Sequence, residues 1–384
     1  MRKPITGAFG RARAVTLQAA VAALLTGVAF GGPTGWTLAG AGTAAGVLAL
    51  LRRRGQWLDA RLLDRLWRGA LAGDGRRTPD AALGLAATLL PPLEVAEVGD
   101  RNGRAVGVLA DGRGHAAVLG LPTGVLPSAA VGFLEDWMTR DAARPAAVQL
   151  LVEQFGLPSW DFHQRFEPTM AYRQLPALAR PVAVRSYLVV RYEPWDAPEV
   201  AEARGGGAAG ARTALAAATA RLAARLERLG VPARPLDAEQ VRELLREAGD
   251  ADGEGRALPD SWAGAHRTHC ALAARLEGPE DWNRLLAALT GTGMDRTVAA
   301  VTVARTARGT ETRAAVRLVS GAAQRAAEGR DRLVSGGAAL PLTGAQPAGL
   351  VATLPLARPA RPLEAATGFA PEVDRRRPLT TGAR

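Results

Sequence analysis

The chain reads as a mixed α/β cytoplasmic domain behind an N-terminal two-helix transmembrane hairpin. Three observations predict this. No charged side chain occurs from Ala14 to Leu51, and arginines bracket that run on both sides. Beyond it, short apolar runs of strand length alternate with longer runs of helical period, the signature of a mixed domain. Several of the strand-like runs are joined by short turns, so the sheet is not purely parallel.

Residues 1–13 form a basic start with Arg2, Lys3, Arg11 and Arg13. The uncharged run at 14–51 is too long for one membrane span, which needs about 20 apolar residues, and suits two short ones. Gly31, Gly32 and Pro33 divide it into segments at about 14–30 and 35–51. Arg52, Arg53 and Arg54 follow the second, and the turn between the segments has no basic residue, so both ends are expected on the cytoplasmic side. A cleaved signal peptide is the alternative; the second uncharged run and its basic stop weigh against it. Small residues at Gly40, Gly42, Ala45 and Gly46 permit close helix approach.

Residues 52–80 comprise a juxtamembrane helix and a linker. From Gly55 to Ala72, apolar Leu58, Leu62, Leu63, Leu66 and Trp67 share one side, while Arg61, Arg65 and Arg68 fall on the other with Arg54. Trp57 and Trp67 suit the headgroup layer as interfacial anchors, and an ordinary core-covering helix is the competing reading. Gly73 to Asp80 is polar and glycine-rich.

The mixed domain follows at 81–356. Strands are expected at Leu93–Val98, Ala105–Ala110 and His115–Leu121, the last two around a hairpin turn at Asp111–Gly114. Phe133–Arg140 reads as a helix and Ala146–Phe155 as a buried strand. In Val182–Tyr192, the clearest strand, Tyr187, Val189 and Arg191 take one face and Leu188, Val190 and Tyr192 the other. Helices follow at Ala211–Leu229, after the Asp237 capping box with Gln240, and from Pro279. Further strands are expected at Arg267–Leu276, Thr297–Thr306 and Glu311–Leu318. The pattern then fades; Gly349–Leu356 is a candidate return to the sheet, and 357–384 reads as a flexible basic tail.

With 48% hydrophobic residues the chain can bury a sizeable core, and its single cysteine, Cys270, excludes an internal disulfide framework. The net charge is +11, yet aromatic residues make up only 5%, so no stacking platform for single-stranded nucleic acid is expected. Anionic lipid headgroups are the simpler partner for the excess arginine. Lys3, the one lysine, precedes the hairpin, so a Walker A loop and a pyridoxal Schiff base are both excluded.

No catalytic, cofactor or metal residue is assigned. Gly205, Gly207 and Gly210 match G-x-G-x-x-G, but the preceding strand ends too early for a dinucleotide turn, and a flexible linker is the reading preferred. Asp250, Asp252, Glu254 and Gly255 open like a calcium loop, whose twelfth position is Ser261 instead of glutamate. Asp250 and Asp252 also spell the D-x-D of metal-dependent glycosyltransferases. His266, His269 and Cys270 are bunched, but strand alternation sends His269 to the opposite face from the other two.

A basic start, a tight hairpin, the junction Arg52-Arg53-Arg54-Gly55-x-Trp57, Val148-Gln149-Leu150 in a central strand and Arg185-Ser186-Tyr187-Leu188 in the next together resemble the EccE family of type VII (ESX) secretion systems. The resemblance implies a non-catalytic structural subunit of the inner-membrane translocon, beside EccB-, EccC- and EccD-like partners that include a P-loop ATPase. It further implies a multi-pass protein of the bacterial inner membrane with cytoplasmic termini. The family's soluble domain has been likened to a glycosyltransferase fold, so a membrane-anchored glycosyltransferase-like enzyme of the cell envelope is the alternative.

Overall fold

The structure is a computed structural model that describes residues 11–50, 52–53, 56–57, 81–122, 129–156, 183–249, 255–306 and 309–359. These fall in two compact units, the N-terminal hairpin lying in one and residues 81–359 in the other.

The hairpin comprises α1 (Arg11–Phe30) and α2 (Gly32–Leu50). Gly31 and Gly32 make the turn with φ of +59° and +67°, a region that residues with a Cβ enter only at a cost. Residues at the contact are mostly small: Ala20 and Gly27 on α1 face Gly35, Ala39 and Gly42 on α2, with the Leu24 backbone also against Gly42. A Cβ at Gly27 would lie 2.5 Å from both the Gly35 carbonyl oxygen and the Ala39 nitrogen. Gly42 is as tight against Ala20, while Gly40 faces open space. Large apolar groups point outward instead, including Leu25, Phe30, Trp36 and Leu50.

Among the described residues no helix is long and apolar enough to cross a membrane, which corrects the expectation of two spans. The physical reason is composition. Close packing fills α2 with Gly, Thr and Ala around Pro33, residues that gain little on transfer to hydrocarbon, and α1 begins with Arg11 and Arg13 inside the helix. The junction also differs from expectation. Arg52–Arg53 (β1) pairs antiparallel with Gln56–Trp57 (β2), so the helix expected from Gly55 does not include Gln56 and Trp57. Its remainder, with Arg61, Arg65, Trp67 and Arg68, lies outside the described residues, as does Arg54.

Among the described residues, the second unit is built on one twelve-stranded sheet. A 3-10 turn at Ala81–Leu83 and α3 (Leu85–Leu89) lead into β3 (Glu94–Gly99), β4 (Ala105–Ala110) and β5 (His115–Leu121). Then come α4 (Ala129–Arg140), β6 (Ala147–Phe155), β7 (Ala183–Tyr192), α5 (Pro198–Glu202), α6 (Gly207–Arg228), β8 (Arg234–Pro235) and α7 (Ala238–Ala248). The remaining strands are β9 (Gly255–Ala257), β10 (Trp262–Gly264), β11 (Thr268–Ala274), β12 (Arg296–Thr306), β13 (Gly309–Ser320) and β14 (Leu340–Pro341). The remaining helices are α8 (Pro279–Thr290), α9 (Ala323–Ser335) and α10 (Gln346–Ala352).

Sheet order is β3-β4-β5-β7-β6-β12-β13-β11-β10-β9, with β8 added to β5 and β14 to β11. Every described pair is antiparallel. Helices and strands do alternate as expected, but the α4 crossover from β5 to β6 skips one position, and β7 fills that slot antiparallel to both. Strand alternation then builds a core on each face. Val108, Leu119, Leu150, Leu188 and Val190 pack under α4 and α6, whereas Leu109, Val118, Ala147 and Val189 pack under α3 and α7. Leu188 and Val190 thus take the face opposite Tyr187 and Val189, as the β7 pattern predicts.

Two sequence expectations fail here. Gly349–Leu356 supplies the end of α10 and a buried irregular stretch rather than a strand. Gly205–Gly210 is no linker: Gly207 and Gly210 open α6, and a Cβ at Gly210 would collide with the Ala201 carbonyl of α5.

Candidate functional site

The residues of the two strand motifs sit side by side at the centre of the sheet. In the β6·β7 ladder Val148 opposes Val190, Gln149 opposes Val189, and Leu150 opposes Leu188. Leu151 opposes Tyr187, Val152 opposes Ser186, and Glu153 opposes Arg185. Because side chains alternate, one face of this ladder is apolar and the other gathers Gln149, Glu153, Arg185 and Tyr187. Glu153 is fully buried and pairs with Arg296 of β12. Arg185 pairs with Glu247 at the end of α7 and lies over the Phe155 ring at 4.9 Å; Arg296 reaches the same ring at 5.5 Å. Burial opposes the charge on Arg185, but the Glu247 carboxylate outweighs it and the guanidinium holds its proton more firmly than usual. Burial, reinforced by Glu153, pushes the Tyr187 phenol upward.

A cleft of about 370 Å³ opens where the ends of β5 and β7 meet β8. Arg185, Ser186, Tyr187, Arg234, Leu236 and Gln240 are among its walls. Two guanidiniums and an amide can receive a carboxylate or another anionic group.

A second polar constellation ties down the last described stretch of chain. Arg191 of β7, fully buried, donates from Nε to Glu193 at 2.8 Å, from Nη2 to Asp111 at 3.0 Å and from Nη1 to the Leu356 carbonyl at 3.2 Å. Asp111 closes the β4–β5 turn by accepting from Gly114 N at 2.9 Å and Arg113 N at 3.1 Å. Arg113 lies 3.1 Å from Glu193 and donates to the Pro359 carbonyl at 2.7 Å; Arg358 stands 3.7 Å from Asp111. Gln149 completes the grip, donating to the Ala352 carbonyl and accepting from Ala357 N. Ala357–Pro359, placed in the tail on sequence, are therefore held against the sheet. Burial alone would raise the Asp111 carboxyl, but the charge and hydrogen bond of Arg191, with Arg358 and Gly114, hold it well below the ordinary range. Neighbouring His115 is lowered to about 4, first by burial and then by Arg212 and Arg191.

The remaining sequence candidates scatter. His266 lies in the β10–β11 turn, while His269 and Cys270 point to opposite faces of β11, both buried. Burial pushes the Cys270 thiol up to about 11, which leaves it unreactive near neutrality. Among the described residues no group of three His, Cys, Asp or Glu is placed to hold a metal. Asp250, Asp252 and Glu254 lie outside the described residues. Arg52 and Arg53 are in β1 and Trp57 in β2. Residues missed on sequence are Glu153, Arg191 and Arg296 within strands, and Asp111, Arg113 and Glu193 just beyond them. For the first three the legible signal was charge inside an otherwise apolar strand, which demands a partner once the strand is buried.

Comparison with known proteins yields one finding. No curated protein matches the chain. Residues 181–269 match the family model described as "Putative type VII ESX secretion system translocon, EccE". That segment runs from β7 through α7 to the start of β11 and contains Arg185-Ser186-Tyr187-Leu188, four cleft or core residues on which the sequence resemblance rested. Over this central part of the sheet, the chain is EccE-like, similar to a component of the type VII secretion translocon.

Proposed function

We propose that this protein is a non-catalytic structural subunit of a type VII secretion translocon, packing against other membrane components and supporting assembly of the complex. The family match over 181–269 carries the reading. The hairpin supports it. A helical pair in water buries its large apolar side chains; this one buries Ala and Gly and turns Leu25, Phe30, Trp36 and Leu50 outward. Its apolar rim calls for an apolar cover, which the spans of neighbouring subunits at the inner membrane would supply. EccB-, EccC- and EccD-like proteins are the partners proposed, with the P-loop ATPase among them as the motor. The glycosyltransferase alternative rests on Asp250 and Asp252 alone, and nothing found among the described residues adds to it.

The test is gentle detergent extraction of the tagged protein from its native membrane, followed by mass spectrometry of what remains bound. Recovery of a P-loop ATPase and a many-span membrane protein in one large complex is the expected result. Recovery of the protein alone, from membranes where both partners are intact, overturns the proposal.

A further inference from the structure

The second unit contains the same succession of elements twice. Among the described residues, the order from β3 to α7 is strand, strand, strand, helix, strand, strand, helix, strand, helix, with the short α5 as the one addition. From β9 to α10 the order is identical. In space, the first five strands of one set run β3-β4-β5-β7-β6 and those of the other run β9-β10-β11-β13-β12, and in both the sixth strand pairs with the third.

Registers agree residue by residue. The third and fifth strands pair as His115–Leu121 on Ser186–Tyr192 in the first set and as Thr268–Ala274 on Ala314–Ser320 in the second, seven pairs in each. This alignment carries Asp111 to Gly264 and Gly114 to Arg267. Those are the residues closing the equivalent turns, by N–H to carbonyl bonds of 3.2 and 2.8 Å. It also carries Leu119 to Leu272, whose sixth-strand partners are Pro235 and Pro341. Around those prolines the chain reads Ala233-Arg-Pro-Leu-Asp-Ala-Glu-Gln240 and Ala339-Leu-Pro-Leu-Thr-Gly-Ala-Gln346, with Ala, Pro, Leu and Gln repeated at the same spacing.

The seam between the sets obeys a two-fold axis. The ladders between the fourth and fifth strands align Ala147 with Arg296, through the pairs Ala147↔Arg191 and Arg296↔Val319. Applied to the β6·β12 ladder, the same alignment exchanges the pair Ala147↔Ala304 with the pair Phe155↔Arg296 and returns Leu151↔Ala300 to itself. Any antiparallel ladder returns pairs to pairs under a shift; what an isologous contact adds is that the fixed pair stands at the middle of the ladder and its two ends exchange, as they do here. The helices cross the seam reciprocally. The carbonyl of Glu247, at the C-terminal end of α7, accepts from Arg296 of the second set, and that of Ala352, in α10, accepts from Gln149 of the first at 2.8 Å.

We infer that residues 94–248 and 255–352 are two copies of one structural unit, and that the β6 edge is an interaction surface whose fitting partner is the matching β12 edge of the second copy. The pair is an intramolecular pseudo-dimer with its axis at Leu151 and Ala300. The matched segment 181–269 spans the boundary between the copies, and the inference stands independently of the translocon reading.

Hydrogen exchange on the full chain tests it. Gln149→Ala removes a cap from the second copy's last helix, and Arg296→Lys, which keeps a cation beside the buried Glu153, removes the arm that caps the first copy's. Gln149→Ala is expected to speed exchange at the end of α10 by about tenfold and leave α7 unchanged, and Arg296→Lys the reverse. Acceleration of the helix in the mutated residue's own copy, or of neither helix, overturns the inference. A second measurement does not depend on those side chains: Leu151→Cys with Ala300→Cys is expected to form a disulfide, and failure of that pair to oxidise while the off-register pair Leu151→Cys with Val298→Cys does so overturns the register on which the axis rests.

Discussion

Arg191 is the residue on which the first copy's polar interior turns, since it satisfies two buried carboxylates and the Leu356 carbonyl at once. Arg191→Ala leaves Asp111 and Glu193 buried without their shared guanidinium, and a loss of roughly 3–5 kcal/mol is expected in urea unfolding. Arg144→Ala, which breaks an ion pair with Glu199 whose two side chains are about half exposed, should cost no more than about 1 kcal/mol in the same assay. His115 supplies the pH dependence. Its folded value of about 4 lies below the ordinary 6.5, so between those values the unfolded chain binds more protons and stability falls as pH falls. The loss begins near pH 6.5, reaches roughly 3 kcal/mol near pH 4 and then levels off. Asp111, lowered in the fold, contributes stability that is intact throughout this window and is lost only in stronger acid. Urea midpoints measured from about pH 7 to 4 should show the slope in the native chain and lose most of it in His115→Gln.

At the scale of elements, two small features are open to direct test. Ala20 and Gly46 approach so that a Cβ on Gly46 would lie 3.8 Å from that of Ala20, the spacing a disulfide needs. Ala20→Cys with Gly46→Cys is expected to oxidise readily; adding Gly27→Ala, which forces the backbones apart, should suppress the bond, and adding Gly40→Ala should not. In α7, Asp237 accepts from Gln240 N at 2.8 Å while Gln240 accepts from Asp237 N at 3.0 Å, the capping box expected from sequence. Asp237→Ala should cost about 1 kcal/mol in thermal or urea unfolding. Such elements were legible because their determinants are local: β4 and β5 have the expected bounds, α8 starts at Pro279, and β7 alternates as predicted. The two-residue strands β8 and β14 were not, because two residues carry no period and exist only by pairing with β5 and β11. α9 was hidden for another reason: its buried face is only Ala326, Gly329 and Leu333, too small a stripe to read as amphipathic.

Over the whole molecule, the duplication shows where the copies have diverged. Arg191, Asp111 and Glu193 fall at positions whose counterparts in the second copy are Val319, Gly264 and Gly321, and the cleft residues Ser186, Tyr187 and Arg234 correspond to Ala314, Ala315 and Leu340. The Arg191–Asp111–Glu193 cluster and the polar cleft therefore belong to the first copy, while the second buries its own arginines, Arg296 and Arg317, at other positions. Ser186→Ala with Arg234→Leu converts the cleft toward its second-copy counterpart; the fold should persist by circular dichroism, and a partner that uses this cleft should be lost from the native-membrane complex.

Local grammar came from the sequence unaided: the uncharged hairpin with its glycine turn, most of the longer strands, the two faces of β7, and the starts of α7 and α8. These follow from period, capping and composition within a few residues. Tertiary contacts supplied the rest. Which strand lies beside which, that β7 inserts between β5 and β6, that buried arginines find buried carboxylates, and that Leu151 meets Ala300 on an axis are all pairings between distant residues. A local pattern specifies which face a side chain takes but not what will cover it, so the repeated Ala-x-Pro-Leu segments acquired meaning only when their ladders were found in the same register.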